Sequence, residues 1–245
     1  LLYADHFPYR QFASARGVRR SPIHSQLEAE GACFGEASGW ERANWFLPKA
    51  AKDAGKKAEY DYSWRRQNWF EYSAAEHMAV RQKVGMFDMS SFGKIKLIGR
   101  DAEAVLQRIA ANDVAVPVGK IVYTQFLNSE GHIEADVTIT RLGADEFLIV
   151  TPAATIRRDL HWINGHIPDS SHAIAVDISV SESVFVVMGP DARSFLQPLI
   201  PQSLENKDFP FGTMQPIEIG HAIARAHLVS YVGELGWELY VSADM

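Results

Sequence analysis

The segments IGRDAEAVLQRI (98–109) and MGPDARSFLQPL (188–199) decide the fold, because they are two copies of one pattern placed 90 residues apart. Four residue types recur at equivalent positions of the copies, as Gly99 and Gly189, Asp101 and Asp191, Leu106 and Leu196, and Gln107 and Gln197. Each copy follows an apolar run that predicts a strand, and each opens a predicted helix. The repeat is too long for a solenoid unit. The sequence therefore predicts an α+β fold of two similar α/β halves packed together.

Further strands are predicted around the two copies. The runs 121–128 and 132–142 flank the turn NSEG and predict a hairpin, and 147–151 predicts a third strand. The segment 224–242 predicts two more strands joined by the turn GELG. A capping box formed by Ser73 and Glu76 predicts the start of a helix just before AAEHMAVRQKV.

Residues 1–70 differ in composition from residues 71–245. The related pieces WERANWF (40–46) and WRRQNWF (64–70) are rich in tryptophan and arginine, which usually lie against another surface. We predict that 1–70 is a Trp-rich linker or docking segment and that 71–245 is the folded domain.

Strict alternation in HIEADVTIT separates the two faces of one predicted strand. Apolar side chains occupy one face, and Glu134, Asp136, Thr138 and Thr140 share the other. Aspartate is a poor strand former, so Asp136 needs either a solvated face or a function. A second carboxylate, Glu238, is predicted in a strand beside large aromatic residues, where it is a candidate for accepting two in-plane N–H bonds from a flat, nitrogen-rich ring.

Composition excludes several classes of function. The net charge of −6 and pI near 5.8 argue against a nucleic-acid partner. No apolar run has the length of a membrane helix, so we predict a cytoplasmic protein, or one of the mitochondrial matrix if the source is eukaryotic. Cys33 is interpreted as a small apolar residue, and the scattered histidines, including His161 and His166, predict no metal site. Dinucleotide-, phosphate-, zinc- and serine-hydrolase motifs are absent from the sequence.

Four motifs together resemble one known family. The stretches 85–109, 123–142, 147–154 (FLIVTPAA) and 231–241 (YVGELGWELYV) resemble, in this order and spacing, the folate-binding aminomethyltransferase family of the glycine-cleavage T-protein type. The upstream stretch 19–46 resembles the segment that precedes this fold in dimethylglycine and sarcosine dehydrogenases. The resemblance implies a large flavoenzyme, with an FAD-binding domain before this chain and a C-terminal barrel after residue 245.

The resemblance also implies a folate site. Asp136 matches the acidic position placed beside the folate, although Ala135 and His132 stand where many T-proteins have Asp and Gly. Tyr231 and Glu238 match the pocket tyrosine and the pterin-binding glutamate. Two further positions are implied to line the pocket: Phe92, where Met or Leu is usual, and Thr138, which shares the polar face with Asp136. Glu234, in the turn, is expected to face solvent.

The implied reaction is one-carbon capture. An FAD domain oxidises an N-methylated glycine to an iminium, and tetrahydrofolate takes up the one-carbon unit as 5,10-methylenetetrahydrofolate, with Asp136 orienting a folate nitrogen and relaying a proton. The partners implied are the folate, the iminium and the protein's own FAD domain, with no nucleic acid and no membrane. Two alternatives are a glycine cleavage system aminomethyltransferase and a non-enzymatic folate-binding regulatory module.

Overall fold

The computed structural model describes Gln11 and residues 14–245. The strands in this part of the chain are β1 (Ala32–Ala37), β2 (Trp40–Phe46), β3 (Gly85–Asp88), β4 (Gly93–Ile98), β5 (Ile121–Leu127), β6 (Ile133–Gly143), β7 (Glu146–Thr151), β8 (Ile174–Asp177), β9 (Glu182–Met188), β10 (Thr213–Ile219), β11 (Ala222–Leu228) and β12 (Gly236–Ser242). The helices are α1 (His24–Ala29), α2 (Lys49–Asp53), α3 (Phe70–Gln82), α4 (Ala102–Ile109), α5 (Ile156–Gly165), α6 (Ala192–Leu196) and a 3-10 helix (Gln197–Leu199).

Two five-stranded antiparallel sheets carry the repeat that the sequence predicts. Their strand orders are β5-β6-β7-β4-β8 and β10-β11-β12-β9-β3. The series β4, α4, β5, β6, β7 in the first half therefore corresponds to β9, α6, β10, β11, β12 in the second. The predicted α+β fold of two similar halves is confirmed.

The two halves exchange one strand each. β3 lies directly before β4 in the chain but pairs with β9, where Gly85 is opposite Met188. β8 lies directly before β9 but pairs with β4, where Ile174 is opposite Ile98. Each half thus completes its sheet with a strand that precedes the other half.

Repeated residues make equivalent contacts in the two halves. The side-chain oxygen of Gln107 accepts the N–H of Val114 at 2.9 Å, and that of Gln197 accepts the N–H of Leu204 at 2.9 Å. Each glutamine thereby fixes the chain that leaves its helix. The conserved spacing of the two copies reflects one loop architecture used twice.

The sheets separate three apolar clusters. Phe147 and Ile149 of β7 face α4 and α5 in the core of the first half, whereas Leu148 and Val150 face the other sheet. In β9, Val187 joins the core of the second half with α6. The cluster between the sheets, called here the inter-sheet cluster, contains Leu148, Val150, Val184, Val186, Met188 and Tyr240. The sheets therefore pack face to face, and each has an inner face toward the other.

The hairpin β1–β2 forms a smaller aromatic cluster. Trp45 is 1% exposed and stacks on Tyr72 of α3 with ring centroids 5.6 Å apart. Cys33 is 3% exposed, and burial raises the pKa of its thiol to about 11, so it packs as the small apolar residue that we predicted. The interpretation of 1–70 as a separate linker stays a prediction, and residues 1–10, 12 and 13 lie outside the described residues.

The predicted capping box at Ser73 is wrong. Helix α3 begins at Phe70, so Ser73 lies inside it. The carboxylate of Glu76 instead accepts the backbone N–H of Phe46 at 2.8 Å, which ties α3 to β2. Glu76 therefore makes a tertiary hydrogen bond instead of the helix cap that the local sequence pattern predicted. Within the described part of the chain, no helix is long and apolar enough to cross a membrane.

Candidate functional site

Asp136 lies on β6 and is held by two donors from the neighbouring strand. The hydroxyl of Tyr123 donates to Oδ2 at 3.0 Å, and Nε2 of Gln125 donates to Oδ1 at 2.9 Å. Gln125 is directly opposite Asp136 in the β5–β6 register, which explains this contact. The carboxylate is fixed in orientation yet remains exposed, so it can still accept a proton or a hydrogen bond from a ligand.

Tyr123 connects Asp136 to the loop between β11 and β12. The pKa of Tyr123 is raised, chiefly because its hydroxyl proton is held by the Asp136 carboxylate, and the neighbouring phenol of Tyr231 raises it further. Tyr231 is 87% exposed in that loop. Tyr231 thus lies within electrostatic reach of Tyr123.

The polar face of β6 is the inner face of the first sheet. Thr138 is opposite Val150 and Thr140 is opposite Leu148, and both apolar partners belong to the inter-sheet cluster. By alternation Asp136 points to the same side. Thr140 is fully buried there, and its hydroxyl has no hydrogen-bond partner among the described residues. The face that carries Asp136 and Thr138 is therefore turned toward the second half of the molecule.

Glu238 lies on β12, on the inner face of the second sheet. It is half-buried, and burial raises the pKa of its carboxyl, while a hydrogen bond from Tyr240 to Oε2 at 2.7 Å lowers it. Among the described residues, nothing donates a hydrogen bond to Oε1. Trp237, the next residue, points the other way into the core of the second half. Glu238 thus has one carboxylate oxygen that is available to accept hydrogen bonds from a ligand.

Phe92 packs against the inter-sheet cluster and is held by a buried lysine. Nζ of Lys94 donates to the carbonyl oxygens of Ser90 and Phe92, both at 3.0 Å. Lys94 is fully buried, and this lowers its pKa to about 8, although the nearby Glu182, Asp177 and Asp88 oppose the shift. We did not single out Lys94 from the sequence; a lysine inside the apolar strand run after Gly93 was the available signal.

Glu234 does not face solvent, so that expectation is wrong. Its side chain is only 14% exposed and forms an ion pair with Arg81 of α3. The pair ties the loop that carries Tyr231 to the helix before β3. The ion pair with Arg81, which is distant in sequence, explains why Glu234 is mostly buried although it lies in a turn.

The predicted site residues come from four segments: the crossover after β3 (Phe92), strand β6 (Asp136 and Thr138), the β11–β12 loop (Tyr231) and strand β12 (Glu238). Phe92, Thr138 and Glu238 lie on the facing inner sides of the sheets, and Tyr231 lies in the β11–β12 loop within electrostatic reach of Tyr123. The free Oε1 of Glu238 and the open carboxylate of Asp136 fit a flat ligand that presents N–H groups. The binding roles of these five residues stay predictions.

Comparison with solved structures defines the class of protein. The fold matches the crystal structure of glycine cleavage system aminomethyltransferase T from Bartonella henselae with a TM-score of 0.71 and 20% sequence identity, over 92% of this chain and 54% of that chain. At this identity the match establishes the fold alone. The chain therefore has the α+β fold of an aminomethyltransferase-type protein.

Sequence comparison gives the family. The GCVT N-terminal domain model matches residues 23–245, and the chain belongs to this family. It is 42% identical over 244 residues to 4-methylaminobutanoate oxidase (formaldehyde-forming) of Paenarthrobacter nicotinovorans, covering 100% of this chain and 29% of that protein. It is 32% identical over 272 residues to mitochondrial sarcosine dehydrogenase of Homo sapiens, covering 98% and 30%. The chain spans less than a third of these relatives, and the resemblance to the family is confirmed.

Proposed function

We propose that this chain is the tetrahydrofolate-binding part of an FAD-dependent dehydrogenase of N-methylated glycine, which captures the one-carbon unit of the oxidised amine as 5,10-methylenetetrahydrofolate. The observation that carries the proposal is the pair of carboxylates Asp136 and Glu238, one on the inner face of each sheet. Family membership and similarity to an oxidase and a dehydrogenase support it. The name of the mitochondrial sarcosine dehydrogenase supports a mitochondrial location, in the matrix by our proposal, if the protein is eukaryotic.

Glu238 and the residues around it bind the ring. A carboxylate oxygen has two lone-pair positions, so Glu238 can accept two N–H bonds from the pterin in its plane. Phe92 supplies an apolar wall, and Thr138 supplies a hydroxyl on the facing sheet. Tyr231 covers the ring from its loop.

Asp136 handles the proton of the capture step. When bound, tetrahydrofolate would supply two nitrogens for the one-carbon unit: N5 would bond to the iminium carbon and pass its proton to the departing amine, and N10 would then close the five-membered ring with loss of its own proton. Asp136 accepts the hydrogen bond from N10 and takes that proton, while Tyr123 and Gln125 keep its oxygens in place. General-base assistance of this kind is worth about 10² to 10⁴ in rate. Without capture, water releases the same carbon as formaldehyde.

The oxidation itself belongs to a separate FAD domain of the complete protein. FAD bound in that domain would accept the hydride from the amine and so supply the iminium. The facing sheets bind the folate close to the arriving iminium, so that capture competes with hydrolysis through effective concentration.

The experiment is calorimetric titration of the complete protein with 5-formyltetrahydrofolate, a stable reduced folate. We expect Glu238→Gln to weaken binding about 10- to 100-fold, the usual effect of losing hydrogen bonds to a charged group. Glu134→Gln is the matched control, because Glu134 is on the same strand as Asp136 but hydrogen-bonds Asn128 near the turn. Failure of the wild-type protein to bind the folate would refute the proposal.

A second measurement separates binding from chemistry. With an N-methylated glycine as substrate, Asp136→Asn is expected to leave amine oxidation unchanged and folate affinity nearly intact, because the amide oxygen still accepts from N10, and to divert product from 5,10-methylenetetrahydrofolate to formaldehyde. An unchanged product ratio would remove Asp136 from the reaction.

A further inference from the structure

Tyr240 lies two residues beyond Glu238 on β12 and points to the same inner face. It is 2% exposed, and its hydroxyl donates to Oε2 of Glu238 at 2.7 Å. No role was assigned to Tyr240 from the sequence. Since bulk water does not reach this hydroxyl, the carboxylate is its acceptor.

His227 restrains the ring of Tyr240. It lies opposite Glu238 in the β11–β12 register, and its ring centroid is 4.3 Å from that of Tyr240 with an interplanar angle of 31°. His227 is 2% exposed, and burial lowers its pKa to about 3, so the imidazole is neutral at pH 7. The tyrosine ring is therefore packed on one side and hydrogen-bonded at its tip.

We propose that Tyr240, supported by His227, is a positioning residue that holds the Glu238 carboxylate with Oε1 toward the folate and keeps it able to accept N–H bonds. This inference rests on the proposed function. Tyr240 acts through Glu238 and does not itself contact the ligand.

The charged groups on the neighbouring strand and on the facing sheet have partners of their own. Arg225, opposite Tyr240 on β11, donates to both carboxylate oxygens of Glu182 at 2.5 and 2.6 Å. Lys94, on the facing sheet, donates to backbone carbonyls. His227 is neutral. Tyr240 is thus the group that offsets the cost of burying the charge on Glu238.

The geometry predicts a shift in the pH dependence of folate binding. Because burial raises the pKa of Glu238 and the Tyr240 hydroxyl lowers it, removing the hydroxyl raises that pKa further. The carboxylate then becomes protonated, and binding is lost, at a higher pH than in the wild-type protein. The net free-energy contribution of one hydrogen bond corresponds to an upward shift of about 0.5 to 1 pH unit in the pH at which binding is lost.

The experiment measures the affinity of the complete protein for 5-formyltetrahydrofolate between pH 5 and 9 for wild type, Tyr240→Phe, Glu238→Gln and the double variant. We expect Tyr240→Phe to move the acid limb of the profile, which is the loss of affinity at low pH, to a higher pH. We expect Glu238→Gln to remove that limb, and Tyr240→Phe to have no further effect in the Glu238→Gln background. Tyr60→Phe is the matched control, because it removes a hydroxyl that accepts a hydrogen bond from Asn44 at 2.7 Å, in the aromatic cluster of the N-terminal hairpin.

The outcomes are distinguishable. An unchanged acid limb in Tyr240→Phe, with weakened binding in Glu238→Gln, overturns the role of Tyr240 and leaves the folate site standing. Wild-type affinity in Glu238→Gln overturns both. If Tyr240→Phe alone does not fold, equal affinities of Glu238→Gln and the double variant support the inference, and a further loss in the double variant overturns it.

Discussion

Gly99 and Gly189 occupy equivalent positions in the two halves and are both pressed against the backbone that leads to an exchanged strand. Their φ values are +134° and +136°. A Cβ atom on Gly99 would lie 2.0 Å from the carbonyl oxygen of His172, and one on Gly189 would lie 2.3 Å from that of Lys83. The glycines in the repeat thus permit the close approach of β8 and β3 to the opposite halves.

Gly99→Ala and Gly189→Ala are each expected to lower the free energy of unfolding by about 3 kcal/mol, because backbone strain and a steric clash add. Gly131→Ala separates the two causes: its φ is +81°, and nothing lies within 4 Å of the added Cβ. Strain alone should cost about 1 kcal/mol there. Urea denaturation measures all three, and equal losses in the three variants would contradict the close-approach argument.

Tyr123→Phe tests the orientation of Asp136. It leaves Gln125 as the remaining donor, so the carboxylate is free to rotate away from the folate nitrogen. We expect the yield of 5,10-methylenetetrahydrofolate per oxidised amine to fall about 10-fold with folate affinity nearly unchanged. Measurement of product ratio and affinity in the same variant checks this. A change in affinity alone would assign Tyr123 to binding instead.

Lys94→Met tests the buried amine by its pH dependence. The pKa of Lys94 is lowered to about 8 in the folded protein, from its usual 10.5. Between these values the unfolded chain binds a proton that the folded protein does not, so the Lys94 contribution makes the folded state more stable as pH rises from 8 to 10.5. The wild-type protein should gain at most about 3 kcal/mol over Lys94→Met across this window. Parallel stability curves for the two proteins would show that the amine is not desolvated.

Arg81→Met tests the anchoring of the loop that carries Tyr231. Losing the partner leaves Glu234 unpaired in a mostly buried position and frees the loop, so folate affinity should fall several-fold. Arg66→Met is the control, because its pair with Glu71 is exposed on both sides, and such pairs contribute little. Hydrogen exchange of residues 229–235 should increase in Arg81→Met and stay unchanged in Arg66→Met. Unaltered exchange in both would mean that the loop is fixed by other contacts.

The repeat made the two-half fold predictable, because residues 90 positions apart showed which strands and helices correspond. The exchange of β3 and β8 was not predictable in the same way, since consecutive strands usually pair with their neighbours. Alternation placed Asp136 and Thr138 on one face, and the family resemblance identified Glu238. The turn NSEG alone does not give the pairing of Gln125 with Asp136, because a β-bulge beside Phe126 and Leu127 shifts the hairpin register by one residue.

The side chains whose contacts the sequence did not predict share one physical cause. Glu76 bonds Phe46, Glu234 pairs with Arg81, and Lys94 is enclosed by carbonyl groups. The first two contacts join residues that are distant in sequence and meet only in the folded protein, and the third depends on how the backbone turns before β4. Local patterns of helix caps, turns and charge contain no information about such partners.

The strand exchange has a consequence for how the chain can be divided. Because β8 completes the sheet of the first half and β3 completes that of the second, a break in the connection between β7 and β8 leaves two pieces that each lack an edge strand supplied by the other. Neither piece is an autonomous folding unit, and the halves must gain and lose structure in one cooperative transition. The duplication visible in the sequence is therefore a pair of interlocked parts, not two modules that natural recombination or protein engineering can shuffle independently.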